Sequence, residues 1–273
     1  MTINFKKNNT MNETMASSCH YQPTISAEQF IPEHIFIHIV SGTISFYDGS
    51  KEYHFKEGDY FFAKRNSLAR YFKKGPEGGD FKTVSTFLNQ DFLKAFQKEY
   101  GYNEEISSIN NAIIPLEPNP LFANYVRSVS PYIQSNDAES IELMFLKKKE
   151  LVLLLLKTNP ELRKVMFDFS DPGKIDLESF MNRNFKFNVS IERFAYLTGR
   201  SLSGFKRDFE RIFKEAPRRW LIQKRLQEAH FLIQKKKQKP TEVYLQVGFE
   251  DLSHFSFAFK KTFGIAPSML LQQ

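Results

Sequence analysis

Two stretches of the chain carry the same pattern. The first is Ser201-Leu-Ser-Gly-Phe-Lys-Arg-Asp-Phe-Glu-Arg-Ile-Phe-Lys-Glu-Ala-Pro217, and the second is Asp251-Leu-Ser-His-Phe-Ser-Phe-Ala-Phe-Lys-Lys-Thr-Phe-Gly-Ile-Ala-Pro267. Leu, Ser, three Phe residues, Ala and Pro recur at matching positions, which indicates a duplicated supersecondary unit. In each copy the Phe residues are spaced i, i+4, i+8. This spacing predicts an amphipathic helix with one apolar stripe.

A shorter helix is predicted just before each copy. Residues 190–199 begin with an N-cap serine and end at glycine, and residues 241–248 follow the same plan. Glycine supplies the positive φ that ends one helix and lets the chain turn sharply. A short helix, a glycine turn and a second helix make a helix-turn-helix, whose second helix enters the major groove of DNA. Two ordinary helical hairpins would also contain such helices, but the matched turns favour a bipartite DNA reader.

The segment between the copies predicts a connecting helix. Pro217 suits a first helical turn, and the basic run 235–239 suits the last, where cations interact favourably with the helix dipole. About sixteen residues at ~1.5 Å each give a rod of about 24 Å. Such a rod can hold two recognition helices near one turn of B-DNA apart, about 34 Å.

These features together carry a resemblance to a known family. In the predicted connecting helix, an aromatic-Leu pair, an Arg-Leu pair, an Ala and a Leu match the pattern of the family's own connecting helix; these residues are Trp220, Leu221, Arg225, Leu226, Ala229 and Leu232. Residues 247–267 are similar to the family's most recognisable signature. Residues from about 175 to 270 resemble the DNA-binding domain of the AraC/XylS family of bacterial transcription regulators.

The resemblance implies which side chains face DNA. It places Leu202, Phe205 and Phe209 in the core and directs the polar side of the same helix to the groove. The implied DNA-binding residues are Ser203, Lys206, Arg207, Arg211, Arg218, Leu252, Ser253, Ser256, Phe257 and Lys260. Because Phe257 stands where a basic or polar residue is commoner, the second unit is expected to discriminate less between bases. Lys214 stands where the family usually has glycine, as at Gly264, so a strained left-handed cap is expected there.

Charge agrees with this interpretation. The chain has 38 Lys+Arg and 31 Asp+Glu, a formal net charge of +7. From Gly173 onward there are 19 basic and 10 acidic residues, whereas the first 172 residues hold 19 and 21. The excess positive charge therefore lies on the predicted reader, as expected for contacts to phosphates.

The N-terminal half has the pattern of short strands followed by helices. Strands are predicted at 34–40, 43–47, 51–55, 60–63, 68–72 and 81–88, with helices at 91–100, about 121–134 and 138–157. Its short turn motifs resemble cupin-like sensor domains over about residues 25–90. In the family, helices after the sensor commonly mediate dimerisation; packing on the barrel alone is an equal alternative. The stretches 62–70 and 75–79 resemble members whose N-terminal half answers to an anti-activator protein or to no obvious ligand.

A cupin-like enzyme or metal-binding sensor carrying a DNA-binding tail is the alternative. His34 and His38 lie four apart on a predicted strand and so share a face. No third histidine follows at the spacing of a cupin ligand set, and His54 lacks an acidic partner pattern. The chain has no P-loop, no GxSxG motif and no Cys-His pair of note. We therefore expect no catalysis, no metal and no cofactor.

The expected fold class is α+β: a cupin-like β-barrel followed by helices, then an all-α domain with two helix-turn-helix units joined by a long helix. The predicted segments are a poorly ordered N-terminus (1–20), a sensor and dimerisation domain (21–166, with the barrel at about 25–90 and helices at about 91–166), a linker (167–173) and an AraC-type DNA-binding domain (174–273).

The expected partners of this regulator, predicted to be an activator, are double-stranded DNA and RNA polymerase. A small-molecule effector or regulatory protein on the sensor, and a homodimer through helices within 119–157, are further expectations. Cys19 is the only cysteine, which excludes an internal disulfide and fits a reducing cytoplasm. The chain shows neither an export signal nor a stretch long enough to span a membrane.

Overall fold

The computed structural model describes residues 15–20, 24–25, 29–103, 111–133 and 137–272. Strands dominate the first part of these ranges and helices the second, so the mixed fold with N-terminal sheets and C-terminal helices is confirmed. Among the described residues, no helix is both long and apolar enough to cross a membrane.

Strands form three antiparallel sheets in the described part of the chain. Sheet order is β1-β10-β4-β7-β11 in the first, β2-β9-β5-β6 in the second and β3-β8 in the third. The strands are β1 (Met15–His20), β2 (Thr24–Ile25), β3 (Phe30–Ile31), β4 (His34–Ser41), β5 (Thr43–Tyr47), β6 (Glu52–Lys56), β7 (Tyr60–Ala63), β8 (Ser67–Leu68), β9 (Arg70–Lys74), β10 (Phe81–Leu88) and β11 (Ile113–Leu116).

The sheets do not close into the cupin-like barrel that the resemblance implies, since the described strands are hydrogen-bonded only within each sheet. Aromatic side chains hold the two larger sheets together instead. The ring of Phe61, on β7, lies 5.1 Å from Phe46 and 4.3 Å from Phe55, which belong to β5 and β6. The two larger sheets are therefore joined by apolar packing. Strands of packed sheets and strands of a barrel both alternate apolar and polar residues, so this pattern in the sequence does not distinguish the two architectures.

Most predicted strands appear within a residue or two of their expected ends. The expected strand 68–72 is split, because the Ala69 amide donates to Gln29 O at 3.1 Å and β9 then pairs with β5. The sequence analysis missed β11, whose Pro115 suits an edge strand. Strand β1 lies in the stretch expected to be poorly ordered; its pairing with the edge of β10 supplies the order there, and residues 1–14 lie outside the described residues.

Helices pack on the large sheet and then form the C-terminal part. Helix α3 buries Leu151, Val152 and Leu155 in a core shared with the large sheet, whereas Ile141 and Phe145 of the same helix are more than 40% exposed. The helices are α1 (Gln90–Tyr100), α2 (Pro120–Val129), α3 (Ala138–Thr158), α4 (Leu162–Met166), α5 (Leu177–Asn184), α6 (Ile191–Leu197), α7 (Leu202–Phe213), α8 (Pro217–Lys236), α9 (Pro240–Gln246), α10 (Leu252–Phe263) and α11 (Pro267–Gln272).

The predicted helix at 121–134 ends at Val129, because residues 130–132 tighten into a 3-10 turn. Position 134 lies outside the described residues. The sequence analysis did not predict α4 or α5. The connecting helix α8 has 20 residues and so spans about 30 Å.

Candidate nucleic-acid interface

The first repeated unit is built on a turn that only glycine fits. Helix α6 ends before Gly199, whose φ is 63°. A Cβ there would lie 2.4 Å from the carbonyl carbon of Gly173. Helix α7 then starts at Ser201, whose side chain accepts a hydrogen bond from the Gly204 amide at 3.2 Å. The turn thus fixes the angle between α6 and α7.

The second unit repeats this plan, but the predicted N-cap at Thr241 is wrong: α9 begins at Pro240 after Lys239, whose side chain makes no capping hydrogen bond. Gly248 has φ 98°, and its missing Cβ would lie 2.6 Å from Lys186 O. Helix α10 is capped by Asp251, whose Oδ1 accepts from the His254 amide at 2.6 Å. The positive φ expected at both turns is therefore present.

The apolar stripes face inward as their spacing predicts. Phe205 and Phe209 of α7 are fully buried in one core, and Phe255 and Phe259 of α10 in another. Helix α8 serves both cores, because Leu221 lies in the first and residues from Leu226 onward lie in the second.

Of the ten side chains predicted to bind DNA, eight are exposed and two are half-buried. The half-buried pair, Leu252 and Ser256, lies on α10. Phe257 is 69% exposed, so its ring is available to a partner rather than packed on a neighbouring helix. The exposed residues are Ser203, Lys206, Arg207, Arg211, Arg218, Ser253, Phe257 and Lys260.

Sequence reasoning missed an ionic brace behind the exposed face of α7. Arg200 donates from Nε to Asp208 Oδ2 at 3.2 Å and from Nη1 to Thr198 O at 2.7 Å. The hydrogen bond from Arg200 lowers the pKa of Asp208, which stays ionised. Asp208 Oδ1 also lies 3.8 Å from Arg207 Nε and 3.9 Å from Arg211 Nη2. Asp208, one residue after Arg207 and three before Arg211, was the available signal in the sequence.

The two cap positions after α7 and α10 share the left-handed conformation. Lys214 has φ 57° and ψ 22°, and Gly264 has φ 77° and ψ −10°. The amide of each donates to the carbonyl four residues earlier at 2.9 Å. The prediction of a strained, non-glycine cap at Lys214 is confirmed.

The N-terminal histidines occupy different surroundings. His34 is fully buried on β4, where its Nδ1 accepts from the Arg65 amide at 3.2 Å. Burial lowers the pKa of His34 to about 3, so the ring is neutral. His38 stacks on Tyr60 with ring centroids 4.4 Å apart, whereas His54 is exposed on β6 in another sheet. Within the described ranges, no three His, Cys, Asp or Glu residues are grouped as metal ligands.

The N-terminal sheets contact both helical units. Arg70 Nη1 donates to Leu245 O at 3.3 Å and to Gln246 O at 2.6 Å, two carbonyls at the end of α9. Arg193 of α6 lies with its guanidinium carbon 3.7 Å from the ring centroid of Phe30. These contacts attach each short helix to the preceding domain.

Comparisons with known proteins match both parts of the chain. A family model described as the ExsA N-terminal regulatory domain matches residues 34–165, and one described as a helix-turn-helix domain matches residues 194–273. The virulence regulon transcriptional activator VirF of Yersinia enterocolitica is 25% identical over 237 residues, covering 84% of this chain and 86% of its own. The regulator ExsA of Pseudomonas aeruginosa is 21% identical over 257 residues, covering 92% and 91%.

This chain is a DNA-binding transcription regulator. The AraC-family resemblance of its sequence is thereby confirmed, as is the expectation that it binds DNA and is not an enzyme. Another relative of this regulator is the thermoregulatory protein LcrF of Yersinia pestis, 25% identical over 237 residues, which cover 84% of this chain and 86% of LcrF.

Solved structures similar to this regulator include fatty acid-bound wild-type ToxT from Vibrio cholerae, with a TM-score of 0.43 at 14% identity, covering 97% of this chain and 96% of that one. A probable AraC family regulator from Rhodopseudomonas palustris has a TM-score of 0.31 at 32% identity, covering 35% and 91%.

Proposed function

We propose that this regulator activates transcription by reading two successive major-groove segments with α7 and α10. The observation that carries the proposal is the repeated geometry: each helix follows a positive-φ glycine turn, buries two Phe residues and exposes its other side. Helix α8, about 30 Å long, links the two units on the scale of one turn of B-DNA, about 34 Å. Relatives named as transcriptional activators support the direction of regulation.

The ten predicted side chains are the proposed DNA contacts. Arg207 and Lys206 suit guanine O6 and N7, for which a bidentate contact is worth about 1–3 kcal/mol of discrimination. Arg211, Arg218 and Lys260 suit phosphates, which fix register without reading sequence. The exposed ring of Phe257 suits a thymine methyl group. Ser203, Leu252, Ser253 and Ser256 complete the proposed surface.

Arg207→Ala tests base reading by the first unit. The probes are a duplex selected from a random pool with the wild-type chain and a scrambled duplex of equal length. We expect the variant to lose about tenfold in affinity for the selected duplex and little for the scrambled one, because the lost contact carries sequence information. Arg219→Ala is the matched control, since Arg219 is similarly exposed but is paired with Glu215 at 2.7 Å outside α7. Equal losses on both duplexes would assign Arg207 to phosphate binding.

We further propose that residues 21–166 form a sensor domain that answers to a small molecule or a regulatory protein, that 167–173 are the linker and that 174–273 are the DNA-binding domain. The contacts of Arg70 and Arg193 give the sensor a physical route to both helical units. A cleft of about 140 Å³ beside Tyr47 and Arg70 is smaller than usual ligand pockets, so it does not support a small-molecule site at that location. Calorimetry with candidate metabolites and affinity capture from native lysate, both on the full chain, separate the two classes.

The proposed homodimer surface lies on the helices within 119–157. Helix α3 exposes large apolar side chains there, a feature typical of a self-association surface. They are Ile141, Leu143, Phe145, Leu146 and Leu153. Leu146→Glu is expected to shift sedimentation towards monomer, whereas Lys147→Glu on the same helix is the control; a monomeric wild-type chain excludes this part of the proposal. We place the regulator in the bacterial cytoplasm with RNA polymerase as partner, testable by transcription with purified polymerase.

A further inference from the structure

One arginine of the connecting helix joins both helical units through main-chain carbonyls. Arg225 donates from Nε to Phe185 O at 2.7 Å and from Nη2 to Phe187 O at 2.7 Å, in the segment that enters the first unit. Its Nη1 donates to Gly248 O at 2.9 Å, in the turn of the second unit. Three of its donors are therefore used at one place, where α8 and both units meet.

The surroundings of this guanidinium leave little room for adjustment. A Cβ on Gly248 would lie 3.0 Å from Arg225 Nε and 2.6 Å from Lys186 O, so the main chains of the two units are in direct contact. Asn188 Nδ2 donates to Glu250 Oε1 at 2.5 Å, which adds a second direct link between the units. Burial lowers the pKa of Arg225 to about 10, so the group remains charged at neutral pH.

Carbonyl acceptors on both sides suit arginine in particular. The guanidinium is planar and presents its donors in a fixed fork, whereas a lysine ammonium is a point charge on a flexible chain. A fork that binds Phe185 and Phe187 on one side and Gly248 on the other sets both the distance and the angle between the units.

We infer that Arg225 is a positioning residue for DNA recognition, which fixes the separation and relative rotation of α7 and α10 and so restricts the chain to one half-site spacing. This inference rests on the proposed reading by two units. Moving one half-site by a single base pair displaces it by about 3.4 Å along the axis and also rotates it around the helix. Two units in a rigid arrangement cannot contact both half-sites after such a change, whereas units in a flexible arrangement can do so with a smaller loss of binding free energy.

The test is Arg225→Lys in the full chain, with Arg225→Gln as a second variant. Duplexes selected by the wild-type chain are altered by inserting or deleting one or two base pairs between the half-sites. The wild-type chain should lose at least about tenfold in affinity on a one-base-pair change. Arg225→Lys should bind the unaltered duplex about tenfold more weakly and show a loss of about twofold or less on the same change.

Leu226→Ala is the matched control, because Leu226 is the next residue and is buried in the core of the second unit without spanning the joint. It should weaken binding at every spacing by the same factor. Circular dichroism and urea midpoints confirm that each variant is folded under the binding conditions. Arginine variants that keep the wild-type spacing ratio overturn the inference. A wild-type chain indifferent to spacing overturns the two-unit reading itself, so the two failures are distinguishable.

Discussion

Replacing Lys214 with glycine should stabilise the protein. Lys214 is exposed and held at φ 57°, in the left-handed region that costs a non-glycine residue about 1–2 kcal/mol. Glycine removes that cost but loses about 0.4–1 kcal/mol through the greater entropy of the unfolded chain. The capping hydrogen bond to Glu210 O comes from the main chain and is kept. The two terms differ by about 0–1.6 kcal/mol, with a mid-range net gain of about 0.8 kcal/mol, or about 0.4 M in the urea midpoint at an m-value near 2 kcal/mol/M.

Lys214→Ala separates the backbone from the side chain. Alanine loses the ammonium group as glycine does but stays in the unfavourable region, so Lys214→Gly should exceed Lys214→Ala in stability by about 1 kcal/mol. Equilibrium urea unfolding of the full chain measures both, and DNA affinity should differ little between the two variants. An alanine variant as stable as the glycine variant, at unchanged m-value, would refute a left-handed strain at this cap.

Three further predictions concern the glycine turns, the buried histidine and the operator. Gly199→Ala should destabilise far more than Gly264→Ala in urea unfolding, because its Cβ meets the main chain of Gly173 at 2.4 Å whereas nothing lies within 4 Å at Gly264; equal losses would mean that backbone strain alone acts. Because the pKa of His34 is about 3, only the unfolded chain binds a proton at this residue when the pH drops below about 6.5, so the free energy of unfolding should fall by up to ~1.4 kcal/mol per pH unit. Urea unfolding of His34→Asn between pH 5 and 7 should show a pH dependence of this free energy that is smaller by up to one proton. An unchanged pH dependence would contradict burial of a neutral ring. Base substitutions under α7 should cost more than those under α10 in a binding scan, since Arg207 faces out from one helix and Phe257 from the other; the reverse order would reassign the main discriminator.

Local patterns explain what the sequence predicted well. The Phe spacing of α7 and α10, their caps and the glycine turns each depend on a few neighbouring residues, and all are present. Pairing between segments distant in the sequence could not be predicted from local patterns. Strand β1 is ordered by its pairing with β10, and the sheets pack through Phe61 rather than closing into a barrel. The burial of Lys148 could have been predicted in part. Its side chain is buried and its ammonium lies over the Phe92 ring. Its i+4 spacing from Met144 indicated the buried face, although Lys148 is the middle one of three consecutive lysines.

The duplicated units share a framework but use the residue before the second helix differently. In the first unit, Arg200 precedes the cap and binds Asp208 of the helix α7 that follows. In the second, Glu250 holds the equivalent place and accepts from Asn188 of the first unit, while Ala258 replaces the aspartate. The same position therefore stabilises a helix within one copy and the contact between copies in the other. Because burial of the Phe stripe needs only the shared framework, the outer positions are free to take on these separate roles.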